Sequence, residues 1–223
     1  MPVEALLRDV LTNTTALYAW AVVVLASLGA LRYDIRANND DIPTLMQFVW
    51  TLTVAYSGPL GLAVYAWAGR KQIERDSLWR RSARSVAHCY SGCGAGEVLG
   101  VVAAAGILAL PQIGVVAVTF TAAYTFGVAL TVGPMTQDGV AFGEAFRDAI
   151  VTETPSIAVM EAAAIGTDVY LAEGATITEP LFWSALAFSL TVGLLVAYPV
   201  NVALVHRGVK DGMANPRDRA TAA

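Results

Sequence analysis

The composition of this 223-residue chain is that of a membrane protein, because 56% of its residues are hydrophobic and only 14% are charged. An average soluble domain is about 25% charged, and the length leaves no room for a sizeable soluble domain beside several spans. The net charge is −4 and no basic patch is interleaved with aromatic residues, which excludes a nucleic-acid-binding protein. The predicted partner is therefore the lipid bilayer, with a second copy of the chain as the other candidate.

Apolar runs of spanning length predict an all-α, polytopic transmembrane helix bundle of about six spans. Residues 1–14 carry apolar side chains at helical spacing, which predicts a short segment lying at the membrane surface. The transmembrane domain covers residues 15–205, and a polar cytoplasmic tail, predicted to be disordered, covers 206–223. About 20 apolar residues suffice to cross a bilayer, and the six predicted spans are 15–31, 45–68, 86–110, 113–132, 149–171 and 181–205.

Gly58-Pro59 interrupts the second apolar run. Proline removes a backbone donor and clashes with the preceding turn, so we predict a kink at this point. The kink is either a packing feature or a helix break at a substrate site, as found in transporters.

The distribution of basic residues predicts the orientation. Ten of the 14 Lys and Arg residues lie in residues 69–85 or after residue 205. In a six-span arrangement both segments lie on the same side of the membrane. The positive-inside rule therefore predicts an inner (plasma) membrane protein with both termini in the cytoplasm.

The stretch His88-Cys89-Tyr90-Ser91-Gly92-Cys93-Gly94-Ala95-Gly96-Glu97 holds both cysteines and one of the two histidines. On a helix Cys89 and Cys93 lie about 40° apart on one stripe, so the two thiols can share one ion, while His88 points to another flank. Thiolate, imidazole and thioether ligands favour a soft metal, Cu(I) before Zn(II). We predict copper or zinc at His88, Cys89 and Cys93, with pathway or auxiliary residues Glu97, Met135, Glu153, Met160 and Glu161.

Three functions remain open for this stretch. The first is handling of a soft metal ion, as transporter, channel or sensor, which suits carboxylates placed inside apolar spans. The second is a structural or assembly subunit, because Gly92, Gly96 and Gly100 form a stripe that lets helices approach closely. The third is a membrane thiol oxidoreductase. No Ser-His-Asp order, P-loop, dinucleotide fingerprint or zinc-protease motif is present, so no catalytic residue is predicted.

Several short motifs accompany the stretch, of which His88-Cys89-Tyr90-Ser91-Gly92-Cys93 is the most specific. The others are Trp50-Thr51-Leu52-Thr53, Tyr56-Ser57-Gly58-Pro59-Leu60-Gly61, Gly133-Pro134-Met135, Glu153-Thr154-Pro155-Ser156-Ile157, Tyr198-Pro199-Val200-Asn201 and Arg207-Gly208-Val209-Lys210. Together they resemble an uncharacterised family of small prokaryotic multi-span membrane proteins, over about residues 45–213. The resemblance implies an integral membrane protein and no settled activity. Glu161 departs from it, because similar proteins often have Gln at that position.

Overall fold

The computed structural model describes residues 3–217. This part of the chain is 81% helical and contains no strand, which confirms the all-α prediction. The helices are α1 (Val3–Thr12), α2 (Thr14–Asn38), α3 (Thr44–Ser57), α4 (Pro59–Val64, continued by a π-helix Tyr65–Gly69), α5 (Leu78–Val101, continued by a π-helix Val102–Ile107), α6 (Gln112–Gln137), α7 (Phe142–Leu171) and α8 (Pro180–His206).

Among residues 3–217, five helices are long and apolar enough to cross a membrane: α2, α5 with its π-helical extension, α6, α7 and α8. Helices α5 to α8 pack around a shared apolar core. Helix α2 lies at the side of this bundle against α3 and α4, and large apolar residues such as Tyr18, Val22 and Leu25 remain exposed on it. Exposed apolar side chains on a long helix suit contact with lipid.

The second predicted span, 45–68, is a helical hairpin that enters and leaves at the same end of the bundle. The rings of Trp50 and Tyr65 lie edge to face with centroids 5.5 Å apart, although fifteen residues of continuous helix would separate them by about 22 Å. The chain reverses at Gly58, whose φ of +56° is accessible to glycine at little cost. Pro59 then begins α4, a position that proline tolerates. The predicted kink is thus a full reversal.

Polar contacts fix the base of this hairpin beside the end of α2. The Asp34 carboxylate accepts hydrogen bonds from the Tyr65 hydroxyl and the Arg70 guanidinium, each at 2.8 Å. The Lys71 ammonium donates to Asp41 at 2.6 Å, and this hydrogen bond lowers the pKa of the Asp41 carboxyl below its ordinary value. The segment that follows the hairpin therefore returns to the loop that precedes it.

Because the chain reverses in the hairpin, α1 and the segment after α8 lie at opposite ends of the bundle. Arg8 in α1 bonds the carbonyl of Tyr170 at the end of α7, and Ser184 near the start of α8 bonds the carbonyl of Leu11. We call this the α1 end, and the opposite end, where α5 begins and α8 finishes, the basic end. The prediction that both termini lie in the cytoplasm counted residues 45–68 as a sixth span, and the orientation of the chain in a membrane stays a prediction.

The charge asymmetry is sharper with five spans than with six. Among residues 3–217, Arg8 is the one basic residue at the α1 end, and Arg219 lies outside the described residues. Twelve residues occupy the basic end: Arg32, Arg36, Arg70, Lys71, Arg75, Arg80, Arg81, Arg84, Arg147, Arg207, Lys210 and Arg217.

Labelling from one side of the membrane tests the hairpin. We expect cysteines introduced by Asp40→Cys and Glu74→Cys to react with an impermeant maleimide from the same side, and a cysteine from Glu173→Cys to react from the other. The unmodified chain is the control, because Cys89 and Cys93 are buried. Labelling of the first two positions from opposite sides would show that residues 45–68 cross the membrane.

The predicted glycine stripe packs inside the chain, against α6. A Cβ atom on Gly96 would lie 2.5 Å from the carbonyl oxygen of Ala122, and one on Gly100 would lie 2.8 Å from the Cα of Thr119. A Cβ atom on Gly92 would lie 3.1 Å from the Cα of Gly127. The expectation of close helix contact is confirmed, and the surface proposed for a partner is occupied by α6.

Candidate functional site

The two cysteines lie in the middle of the bundle. Cys93 follows Leu78 by fifteen residues and precedes Ile107 by fourteen, so the pair is deeper than the predicted position at the mouth of a span. Both thiols are free and fully buried, and their sulfur atoms are 3.9 Å apart. The predicted common stripe is thus confirmed.

Polar and small groups of α6 and α7 surround this pair. The absence of a side chain at Gly127 makes room for Cys93, whose Sγ would lie 2.7 Å from a Cβ there. On α7, the Ser156 hydroxyl is 3.9 Å from the Cys89 sulfur. Met160 is buried in the same core cluster as both cysteines. The pair therefore has a hydroxyl and a thioether nearby from a second helix.

Glu161 is the most unusual buried group of the site. It is 0% exposed, and neither carboxylate oxygen has a hydrogen-bond partner within residues 3–217. It interacts electrostatically with Glu97 and Cys89, and its carboxyl group also interacts with the Cys93 side chain. Carboxyl groups inside a membrane are costly and usually mark a pathway, so Glu161 links the cysteine pair to the next carboxylate.

A cavity of about 430 Å³ lies between Glu97 and the α1 end of the bundle. Glu97, Thr119 and Asp168 line it, and each has a buried side-chain oxygen with no partner in the described part of the chain. The remaining walls are largely apolar, and the loop between α7 and α8 forms its rim. Three oxygen-bearing side chains thus lie in the wall of one cavity, which suits a cation as its occupant.

At the basic end, Glu153 is paired with a residue that sequence reasoning assigned to a disordered tail. The Lys210 ammonium donates to Glu153 at 2.6 Å and to the Asn201 side-chain oxygen at 3.3 Å. The Asn201 amide in turn donates to the Ser156 hydroxyl at 2.6 Å. Residues 207–217 are therefore folded against the bundle, and the prediction of disorder is wrong for them; residues 218–223 lie outside the described part.

These groups follow one another along the bundle, and we call the series the polar line. From Cys93 to Lys210 its members are joined by contacts of 3.9 Å or less, whereas Asp168, Glu97 and Glu161 are related by electrostatic interaction. The polar line runs through the bundle from the cavity at the α1 end to the basic end. In order, its members are Asp168, Glu97, Glu161, Cys93, Cys89, Ser156, Asn201, Glu153 and Lys210.

Three predicted site residues lie outside this line, and one of them, Met160, is buried in the core cluster beside both cysteines. His88 faces α6, with its Nε2 atom 3.2 Å from the Leu130 carbonyl oxygen. Met135 is half-buried near the end of α6 and packs at the margin of the core. Among residues 3–217 no three histidine, cysteine or carboxylate side chains are grouped so that they could hold a metal ion. The geometry therefore offers a two-thiol position and no closed metal centre.

Sequence reasoning missed four members of the polar line: Asp168, Ser156, Asn201 and Lys210. A signal existed for Asp168 and Asn201, which are polar residues inside predicted apolar spans. None existed for Lys210, because its position depends on how the chain turns after α8.

Comparison with known families gives one match. The model of the family described as domain of unknown function DUF4396 matches residues 78–210. The matched range covers α5 to α8 and Lys210, and it begins after the hairpin. No curated protein and no solved structure matches the chain significantly.

Proposed function

Since the chain belongs to the DUF4396 family, a domain of unknown function, we propose its function from the geometry: it moves a soft metal cation across the membrane along the polar line. Cys89 and Cys93 hold the ion at the midpoint. The observation that carries the proposal is the pair of free thiols on a buried polar line between the two ends of the bundle.

The separation of the sulfur atoms suits one shared ion. Two thiolates at about 2.3 Å from a metal, at the tetrahedral angle, lie about 3.8 Å apart. The Sγ atoms of Cys89 and Cys93 are 3.9 Å apart without any rearrangement. Thiolates select Cu(I) and Zn(II) over hard cations such as Mg²⁺, so copper or zinc is the proposed cargo, with Cu(I) first.

A two-thiol site suits transport better than storage. Conduction requires binding that is strong enough to admit an ion and weak enough to release it. Structural zinc sites, by contrast, surround the metal with four protein ligands. Glu161 and Ser156, on either side of the thiols, offer oxygen atoms to an ion that arrives or leaves.

The carboxylates along the line support a cation as the cargo. Glu97, Glu161 and Asp168 have buried oxygens without hydrogen-bond partners among residues 3–217, so a cation entering the line would find oxygen atoms that can coordinate it. The polar line is therefore suited to positive charge.

The direction of the line follows from the charge asymmetry. Within residues 3–217, twelve basic residues lie at the basic end and one at the α1 end. Under the positive-inside rule, the basic end faces the cytoplasm and the cavity opens to the opposite side of the inner membrane.

Burial makes a thiol oxidoreductase the weaker alternative. Cys89 and Cys93 are 1% and 0% exposed, and thiol exchange requires access of an attacking thiolate to a sulfur atom. A partner protein has no route to sulfur atoms at this depth without opening the bundle.

Metal retention tests the proposal. Reduced protein is incubated with Cu(I) or Zn(II), and bound metal is measured after desalting. We expect about one ion per chain, and at least about tenfold weaker binding after Cys89→Ser or Cys93→Ser, since even outer-shell changes at metal sites cost this much. His88→Gln is the matched control, because His88 contacts α6 and should leave retention unchanged. Equal retention by the unmodified protein and the double serine variant would refute the proposal.

A further inference from the structure

We infer that the basic end of the polar line is a binding site for a small monovalent cation of the ammonium type, and that Lys210 is its tethered occupant. A free cation can replace the lysine ammonium, and the tail must withdraw before an ion can pass. The binding site stands on its own geometry, whereas the gating role rests on the proposed function.

The site is built from oxygen atoms that converge on one ammonium group. Lys210 Nζ contacts a Glu153 carboxylate oxygen at 2.6 Å and the Asn201 oxygen at 3.3 Å. The other Glu153 oxygen accepts a hydrogen bond from the Thr131 hydroxyl at 3.3 Å. The Glu153 side chain is only 4% exposed, so this negative charge requires a positive partner.

Lys210 reaches the site because the chain turns back after α8. Helix α8 ends at His206, and Gly208 and Gly212, with φ of +68° and +71°, provide turns that other residues adopt at a cost. Four residues beyond the helix, the Lys210 side chain is only 10% exposed. The tail therefore delivers an ammonium group into the bundle from outside the spans.

Backbone contacts hold the tail in this position. Arg84 donates to the Met213 carbonyl at 2.8 Å, Arg81 donates to the Asp211 carbonyl, and the Asn215 amide donates to the Ile73 carbonyl at 3.0 Å. These contacts join the tail to α5 and to the loop before it, and none of them involves Glu153. The tail can thus withdraw without disturbing the oxygen atoms of the site.

The occupied site lies directly on the polar line. Asn201 joins it to Ser156 at 2.6 Å, and Ser156 lies 3.9 Å from the Cys89 sulfur. A second cation cannot share Glu153 with the lysine ammonium because like charges at this distance repel strongly in a buried site. Lys210 therefore closes the basic end to an ion coming from the thiols.

The test is binding of methylammonium to a variant without the tethered amine. Lys210→Ala is purified in methylammonium chloride and in tetramethylammonium chloride, and its melting temperature in detergent is measured against the concentration of each salt. We expect methylammonium to raise the melting temperature by at least about 2 °C, because a ligand that binds only the folded state stabilises it. Tetramethylammonium is too large and donates no hydrogen bond, so it should have no such effect.

Three controls define the site. The unmodified protein should not respond, because Lys210 fills the site, and Arg207→Ala should behave like it, because Arg207 is an exposed tail residue. The double variant Glu153→Gln, Lys210→Ala should also show no response. Lys210→Gln keeps a neutral donor near Glu153 and provides a second variant that retains a partner for the carboxylate.

The outcomes separate this inference from the proposed function. Methylammonium-dependent stabilisation, or recovery of folded variant in methylammonium alone, supports the site. No response in either folded variant, or loss of folded protein in both salts, overturns it. Metal retention by the thiols is a different readout, so either result is independent of the fate of the Cys89 and Cys93 proposal.

Discussion

Replacing Arg84 by methionine is expected to lower the free energy of unfolding by about 1–3 kcal/mol, the cost of leaving hydrogen-bond acceptors without their buried donor. The residue is 1% exposed and pairs with Asp76. It also donates to the Ala68 and Met213 carbonyls at 3.0 and 2.8 Å. One guanidinium thus joins the end of the hairpin, the following loop and the tail.

Thermal unfolding in detergent measures this effect. Lysine cannot restore it fully, because its single ammonium lacks the rigid fork that reaches several acceptors at once, so Arg84→Lys should fall between the two. Arg75→Met removes an exposed guanidinium from the same region and should change stability little. A melting temperature for Arg84→Met equal to that of Arg75→Met would mean that the tail and hairpin are held by other contacts.

Hydropathy predicted the long helices well and the hairpin poorly, for a physical reason. The run 45–68 is as long and apolar as a crossing helix, and a chain that reverses inside the membrane buries the same apolar residues. The difference lies in the backbone of Gly58, whose φ of +56° the sequence permits without requiring. Because the prediction treated Gly58 as a kink in a crossing helix and not as a reversal, it placed α1 at the wrong end of the bundle.

Local sequence patterns predicted one part of the site, and the other part depends on contacts between distant positions. Helical periodicity alone placed Cys89 and Cys93 on one stripe, and their sulfur atoms are 3.9 Å apart. The same periodicity could not show which helix His88 would face, because that depends on the packing of α5 on α6. The approach of Lys210 to Glu153 joins positions 57 residues apart, and no local pattern predicts it.

Two glutamates on α7 should respond to the same substitution with opposite changes in stability. Glu153 is paired with Lys210, whereas Glu161 is buried with no hydrogen-bond partner for either oxygen within residues 3–217. A buried polar group without a partner costs about 1–3 kcal/mol. Glu161→Leu should therefore stabilise the folded protein by about that amount. Glu153→Leu should destabilise it, because Lys210 must stay buried without a counter-charge or leave with its tail.

Replacing Glu161 by leucine should slow transport while it raises stability. The carboxylate lies between the cavity and the thiols, so a leucine there removes the oxygen atoms that a cation would meet on its way. We expect Glu161→Leu to slow uptake of Cu(I) or Zn(II) into proteoliposomes by about 10–100-fold, the range for loss of a supporting group at a metal site. Glu161→Gln, which keeps one carbonyl oxygen, should retain more uptake than Glu161→Leu does.

A leucine variant that is more stable and transports at the normal rate would show that Glu161 lies outside the pathway. A variant that is less stable would show that the carboxylate has a structural partner. Loss of uptake together with a higher melting temperature is the combination expected of a residue kept at a cost in stability because the pathway requires it.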